Sequence, residues 1–163
     1  MQITNMNDQY ILPEGFKIVS GGQSGADIAA LDWALVKGVP HGGWCPKGRK
    51  SEDGQIDPRY QLIETPDSKY LQRTEWNVRD SDATLIITLS PKLDGGSKKT
   101  ADFAIKLGKP YLHFRLGVHP KFIARFLAQH QVNVLNIAGK RETSAPGIYT
   151  MAIAALDQAL TLS

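Results

Sequence analysis

Three short stretches carry the residue types that could grip a charged ligand. They are Gly21-Gly22-Gln23-Ser24-Gly25-Ala26-Asp27, Asp94-Gly95-Gly96-Ser97-Lys98-Lys99-Thr100 and Gly139-Lys140-Arg141-Glu142-Thr143-Ser144. Glycines let backbone amides approach a ligand closely, hydroxyls and Gln23 add donors, and the cation pairs add charge. A strand that ends in such a turn and opens into a helix also presents unpaired amides at the positive end of the helix dipole, which suits an anion. The spacing G-G-x-x-G is neither the dinucleotide fingerprint G-x-G-x-x-G nor the P-loop G-x-x-x-x-G-K-[ST]. His41 to Pro46 also lacks the acidic residue that would hold a ribose, which argues against an NAD dehydrogenase.

The remaining reactive side chains form no recognisable catalytic set. His41, His113, His119 and His130 lack metal-ligand spacing, and of these His41 is expected nearest the loops. Cys45 is the sole cysteine and reads as a packing or pocket-wall residue. Asp27, Asp32, Glu75 and Asp102 are the available acids, without an evident nucleophile–base pair.

The elements that must position these loops follow from periodicity. Lys17 to Val19 is a short β-branched strand, and Ile28, Leu31 and Leu35 mark a helical face ending at Gly38. Asp32 falls inside that apolar stripe and needs a partner. A weak strand at Val39 to Trp44 precedes a long irregular segment, 45–65, which reads as a flap. Thr65-Pro66 predicts the start of a helix running to Asp80, with a Glu75–Arg79 pair on it. Ala83 to Leu89 is an apolar strand of the kind buried in parallel sheets. A helix to Gly108, a strand at Pro110 to Phe114, a helix from His119-Pro120, a strand at Val132 to Ala138 and a helix from Ala145 to about Leu162 complete the chain. The alternation predicts a doubly wound, mainly parallel five-stranded α/β sheet with helices on both faces, its ligand outside the carboxyl ends of the strands.

At 163 residues the chain suits a single domain over 1–163, with an irregular lead-in over 1–16. A formal charge of +3 accommodates an anion but does not make a nucleic-acid-coating surface. No apolar run is long enough to span a membrane, and a lone cysteine fits a reducing cytoplasm.

Several longer motifs carry a family resemblance over about residues 17–150. They are Gly21 to Asp27 with Ala30 to Ala34, Gly42 to Arg49 with Glu52-Asp53-Gly54, Arg73 to Asp82, Gly95-Gly96-Ser97 with Thr100, and Asn136 to Gly139 with Arg141-Glu142 and Ala145 to Tyr149. The chain resembles the molybdenum carrier proteins, within the Rossmann-like group that includes the lysine-decarboxylase-like phosphoribohydrolases. The resemblance implies a Rossmann-like fold and a carrier for molybdenum cofactor or a related phosphate-bearing or oxyanion ligand. It further implies a homo-oligomer with a molybdoenzyme client. The ligand-binding set is then Gly21, Gly22, Gln23, Ser24, Gly25, Asp27, Lys47, Arg73, Gly95, Gly96, Ser97, Lys98, Thr100, Gly139, Lys140 and Arg141. The alternative is a nucleotide-processing enzyme of the phosphoribohydrolase type or a sensor of a nucleotide-derived ligand. Those enzymes read P-G-G-x-G-T-x-x-E, whereas here Lys98 replaces a glycine and Phe103 or Asp102 stands where the Glu is needed. Binding without catalysis is the expectation.

Overall fold

The strand–helix alternation closes as the periodicity predicts. The computed structural model describes residues 4–163 and contains a five-stranded, all-parallel sheet. Its strands are β1 (Lys17–Val19), β2 (His41–Gly42), β3 (Ala83–Thr88), β4 (Tyr111–Arg115) and β5 (Val134–Gly139), in the order β2-β1-β5-β3-β4. The helices are α1 (Ala26–Lys37), α2 (Tyr70–Arg79), α3 (Gly95–Lys106), α4 (Lys121–His130) and α5 (Ile148–Ala159). Leu135 of β5 lies opposite Ile18 of β1 on one side and Ala83 of β3 on the other, so β5 is the centre of the sheet. All six residues of β3 are buried, as its unbroken apolar run requires.

The chain leaves β1 in one direction along the sheet and leaves β3 in the other. With right-handed crossovers, such a reversal sends helices to opposite faces. Accordingly α1, α4 and α5 pack together, and α2 packs on α3. The crevice between the diverging α1 and α3 lies over the end of β5, which is where open parallel sheets bind ligands. No described helix is long and apolar enough to cross a membrane.

Several boundaries differ from those the sequence predicts. Helix α1 buries Ala26, Ala29, Ala30, Leu31, Trp33 and Ala34, whereas Leu35 is 40% and Val36 82% exposed. Small residues face the sheet because α1 is pressed between it and α5. Helix α2 begins at Tyr70, not Thr65. Thr65 is engaged with an adjoining strand, its amide donating to the Cys45 carbonyl at 2.8 Å, so it cannot cap a helix. The Glu75–Arg79 pair does not form, because Arg79 turns to Asp80 at 2.8 Å and Glu75 meets Lys106 at 3.4 Å. Helix α5 starts at Ile148, and after it Leu160–Thr161 pairs in parallel with Tyr10–Ile11, giving order to part of the lead-in. The lead-in's first three residues lie outside the described ones.

The 45–65 segment is built, not irregular. Lys50–Ser51 and Gly54–Gln55 form a small antiparallel hairpin, and Trp44–Cys45 pairs with Ile63–Glu64. Arg49 organises the loop by donating to the carbonyls of Ile56, Asp57, Tyr60 and Leu62 at 2.8–3.3 Å. Cys45 is buried in a small core with Leu31, Ile56 and Tyr60, matching its expected packing role. Asp32 finds its partners here too, accepting from the Tyr60 hydroxyl at 2.5 Å and the Tyr149 hydroxyl at 2.6 Å. Burial and this carboxylate raise both phenols, that of Tyr149 to about 12.

Gly25 is the position where backbone geometry is least negotiable. Its φ is +80°, and a Cβ there would run into the Lys140 carbonyl and come within 2.7 Å of the Glu142 nitrogen. Gly25→Val should therefore cost about 3 kcal/mol or more, combining left-handed strain with overpacking against rigid backbone. Urea denaturation checks this, and wild-type stability in the variant would show that the loops are not in contact.

Candidate functional site

A cavity of about 300 Å³ lies at the crevice, lined by parts of four elements. The β1 exit supplies Gln23 and Asp27, and α2 supplies Tyr70, Leu71, Arg73 and Thr74. The first turns of α3 supply Gly95, Gly96, Ser97, Lys99 and Thr100. The β5 exit supplies Ala138, Gly139, Lys140, Arg141 and Ser144.

Amide accounting decides which helix end is available to a ligand. At α1 the Ala26 amide donates to the Lys140 carbonyl at 3.2 Å and the Ile28 amide to the Gln23 carbonyl at 3.2 Å. The Gln23 amide is taken by the Asp27 carboxylate at 3.1 Å. The Ser24, Gly25 and Asp27 amides have no acceptor among the described residues, but Ser24 and Gly25 do not line the cavity. At α3 the N-cap residue is Asp94, but its side chain makes no cap bond and instead meets the Lys140 ammonium. The amides of Gly95, Gly96 and Ser97 consequently have no acceptor among the described residues. A Cβ on Gly96 would project into open space, so nothing in the protein occupies the cradle. The cavity thus opens on the start of α3 rather than on the Gly21–Gly25 turn.

The charged wall behind the cradle is buried. Arg73 Nη1 lies 3.6 Å from Asp27 Oδ2, with side-chain exposures of 13% and 4%. Burial lowers the Arg73 guanidinium against the pull of Asp27. It raises the Asp27 carboxyl against the pull of Arg73, the Gln23 amide and Arg141. Arg73 Nε, Ser97 Oγ and Gln23 Oε1 are buried without a hydrogen-bond partner, and all three residues line the cavity. Unpartnered buried polar atoms are uncommon in folded proteins, and their convergence on one cavity points to a ligand that completes them. Helix α2 is anchored for this purpose by Asn77, whose side-chain amide donates to the Trp44 carbonyl at 2.9 Å and accepts from its amide at 2.8 Å.

The sequence-derived set divides accordingly. Gln23, Asp27, Arg73, Gly95, Gly96, Ser97, Thr100, Gly139, Lys140 and Arg141 line the cavity. Gly21, Gly22, Ser24 and Gly25 do not. A Cβ on Gly21 would collide with the Arg73 guanidinium, and one on Gly22 would meet Ile56 at 2.9 Å, so these glycines serve close packing. Lys47 is exposed on the flap. Lys98 faces away and bridges Asp102 at 3.1 Å, while its neighbour Lys99 takes the cavity position. That bridge also places Asp102 outside the cavity. His41 is likewise outside, its Nε2 accepting from the Gln61 amide at 3.1 Å.

Tyr70, Leu71, Thr74, Lys99, Ala138 and Ser144 also line the cavity and are absent from the set. Arg73 and Thr74 stand three and four residues after Tyr70 on α2, a helical phase that could have revealed Tyr70. The Tyr70 ring has Arg141, Lys50 and Arg73 around it at 4.6, 4.7 and 5.9 Å. Among the described residues no group of three or more His, Cys, Asp or Glu side chains converges as a metal site.

A parallel sheet with an open helix end and a buried guanidinium at its reversal point defines a Rossmann-like α/β domain. The chain belongs to the circularly permutated YpsA SLOG family, whose model matches residues 18–160. It is similar to the "Putative molybdenum carrier protein" of Syntrophus aciditrophicus SB, solved at 1.45 Å resolution. The two share 46% identity and a TM-score of 0.86, covering 90% of this chain and 95% of that one. A (E)-4-hydroxy-3-methyl-but-2-enyl diphosphate reductase aligns at 12% identity and a TM-score of 0.39, over 89% of this chain and 60% of that one. That likeness is too remote to inform fold or site. No curated protein matches the chain.

Removing the carboxylate would strand a buried cation. Asp27→Asn should lower stability by about 3–5 kcal/mol, the usual penalty for breaking a buried pair from one side. Phosphate or molybdate should restore part of this loss, because a bound anion replaces the missing charge. Urea titrations with and without the anion test it, and a variant as stable as the wild type would show that Arg73 does not depend on Asp27.

Proposed function

We propose that this chain is a binding protein for a phosphate-bearing or oxyanion ligand, held in the cavity at the start of α3. The observation that carries the proposal is the meeting of free Gly95, Gly96 and Ser97 amides with the unpartnered, buried Arg73 Nε and Ser97 Oγ. Backbone amides at a helix start and a guanidinium are the donors that fit tetrahedral oxyanions and phosphate monoesters. Lys99, Lys140 and Arg141 add positive charge at the rim. A molybdate ion or the phosphate end of molybdenum cofactor suits this donor set, and the name carried by the 46%-identical relative favours molybdenum cargo over other anions. A cavity of about 300 Å³ is at the small end of organic-ligand sites, so it accommodates the anionic part of a cofactor more readily than the whole.

A carrier also suits the placement of the acids. Asp102, the substitute for the phosphoribohydrolase glutamate, is bound to Lys98 on the outer side of α3. Asp27 does face the cavity, but it is occupied by the Gln23 amide and Arg73. General acid–base help worth about 10²–10⁴ in rate then lacks a free carboxylate.

Calorimetry with molybdate, tungstate and phosphate tests the proposal, together with mass spectrometry and metal analysis of whatever co-purifies. Lys99→Ala should weaken binding about tenfold, on the order of one charge-assisted hydrogen bond, whereas Lys98→Ala should leave it within about twofold. Equal losses in the two variants would place the anion elsewhere. Release of free base from nucleoside 5′-monophosphates over many turnovers would replace the carrier with the enzyme.

A further inference from the structure

A second group of donors stands beside the cavity and already holds an anion, supplied by the protein. Glu52 lies at the tip of the flap hairpin formed by Lys50–Ser51 and Gly54–Gln55. Its carboxylate accepts from the Ser24 hydroxyl and sits 3.0 and 3.2 Å from the Thr143 hydroxyl, with Arg141 Nη1 at 3.8 Å. The hydroxyl of Ser24, held first by these contacts, draws the Glu52 carboxyl below its ordinary range, with Thr143 and Arg141 acting in the same direction. Two hydroxyls and a guanidinium are the donors that would receive a phosphoryl group as readily as a carboxylate. They come from the β1 and β5 exit loops, and the guanidinium belongs to a residue that also lines the cavity. Ser24 is kept in place independently of Glu52, accepting from the Glu142 amide at 3.3 Å.

The occupant, in contrast, sits on a part of the chain that could move away. Residues 53–55 are exposed, and beyond the Glu52 contacts the hairpin is tied to the site by one hydrogen bond, from Gln23 Nε2 to the Lys50 carbonyl at 3.0 Å, and by the Lys50 ammonium 4.7 Å over the Tyr70 ring. The tip contributes nothing to either apolar core.

We propose that Ser24, Thr143 and Arg141 form a second anion subsite, that Glu52 fills it in the free protein, and that the ligand carries a second anionic group which displaces Glu52. The proposal rests on the anion-binding role of the α3 cavity and narrows the ligand to one with two anionic groups, at least one of them phosphoryl, both within reach of Arg141. It also makes the flap responsive to ligand, since expelling Glu52 frees the hairpin tip.

Orthophosphate and pyrophosphate separate the two subsites by isothermal titration at fixed pH and ionic strength without divalent metal. The proteins compared are the wild type, Glu52→Gln and the double variant Glu52→Gln with Ser24→Ala. Glu52→Gln should bind pyrophosphate about tenfold more tightly than wild type, while orthophosphate affinity changes less than about threefold. Adding Ser24→Ala should remove most of the pyrophosphate gain. Equal gains for both anions would mean that Glu52 acts only through the general field, and the subsite would be overturned. Orthophosphate binding without any pyrophosphate gain would overturn the subsite and leave the α3 cavity standing. Failure of every protein to bind either anion would remove the cavity and the subsite together. Thermal midpoints of the variants confirm that the fold is retained.

Discussion

A guanidinium held almost out of water is the constraint on which this site depends. Arg73 is tolerable in its position only because Asp27 lies beside it, and Asp27 is tolerable only because Arg73 and the Gln23 amide share its charge. Each half of the pair sits on a different element, α2 and α1, so the two helices must keep their spacing across the sheet. The Asn77 amide, bonded twice to Trp44, fixes α2 for that purpose, and the contact of Gly25 with the β5 exit fixes α1. With the pair locked, Arg73 Nε is left buried without a partner beside the cavity. A group that would be a defect elsewhere is, on the proposed function, a preorganised donor.

The same economy explains the flap. A connection of about twenty residues would ordinarily be costly to order, and here one arginine gathers four of its carbonyls. Tyr60 then ties the flap to Asp32 of α1, and Tyr149 ties α5 to the same carboxylate. A polar residue inside an apolar stripe thus joins three segments far apart in sequence. These bonds tie down the body of the flap, and the hairpin tip lies outside them.

The strand–helix order was legible because it is a local property: unbroken apolar runs, glycine ends and helical phases lie within short windows. Placement at the cavity was legible for Arg73 through the family resemblance and for Ser97 and Lys140 through their glycine loops. The different surroundings of the α1 and α3 starts were not legible, because the Ala26 amide is taken by the Lys140 carbonyl, which comes from the far end of the chain. Conversely, Asp94 is a good capping residue by type, yet Lys140 draws its side chain away and so leaves α3 open. Lys98 and Lys99 are indistinguishable by composition and differ by one residue of helical rotation, which sends one to Asp102 and the other to the cavity. Lys140, distant in sequence from both loops it meets, decides the first two cases, and the i,i+4 neighbour Asp102 decides the third.

Charge pairing within the site bears on how a carrier could both hold and surrender its cargo. Arg73 has Asp27, Lys140 has Asp94 and Arg141 has Glu52, so three of the four cavity cations already possess a carboxylate partner. Lys99 has no ion pair among the described residues. A site of four unpaired cations would repel itself when empty and would bind a multivalent anion with little prospect of release. On the proposed function, anion binding in the paired arrangement is an exchange in which the ligand shares or replaces internal carboxylates, and only the difference between the two sets of contacts appears as affinity. The pairs with Asp94 and Glu52 are more accessible than the buried Asp27–Arg73 pair, which cannot separate without stranding a charge. On the proposed function, the buried pair sets the geometry of the site and the more accessible pairs set how readily the ligand enters and leaves.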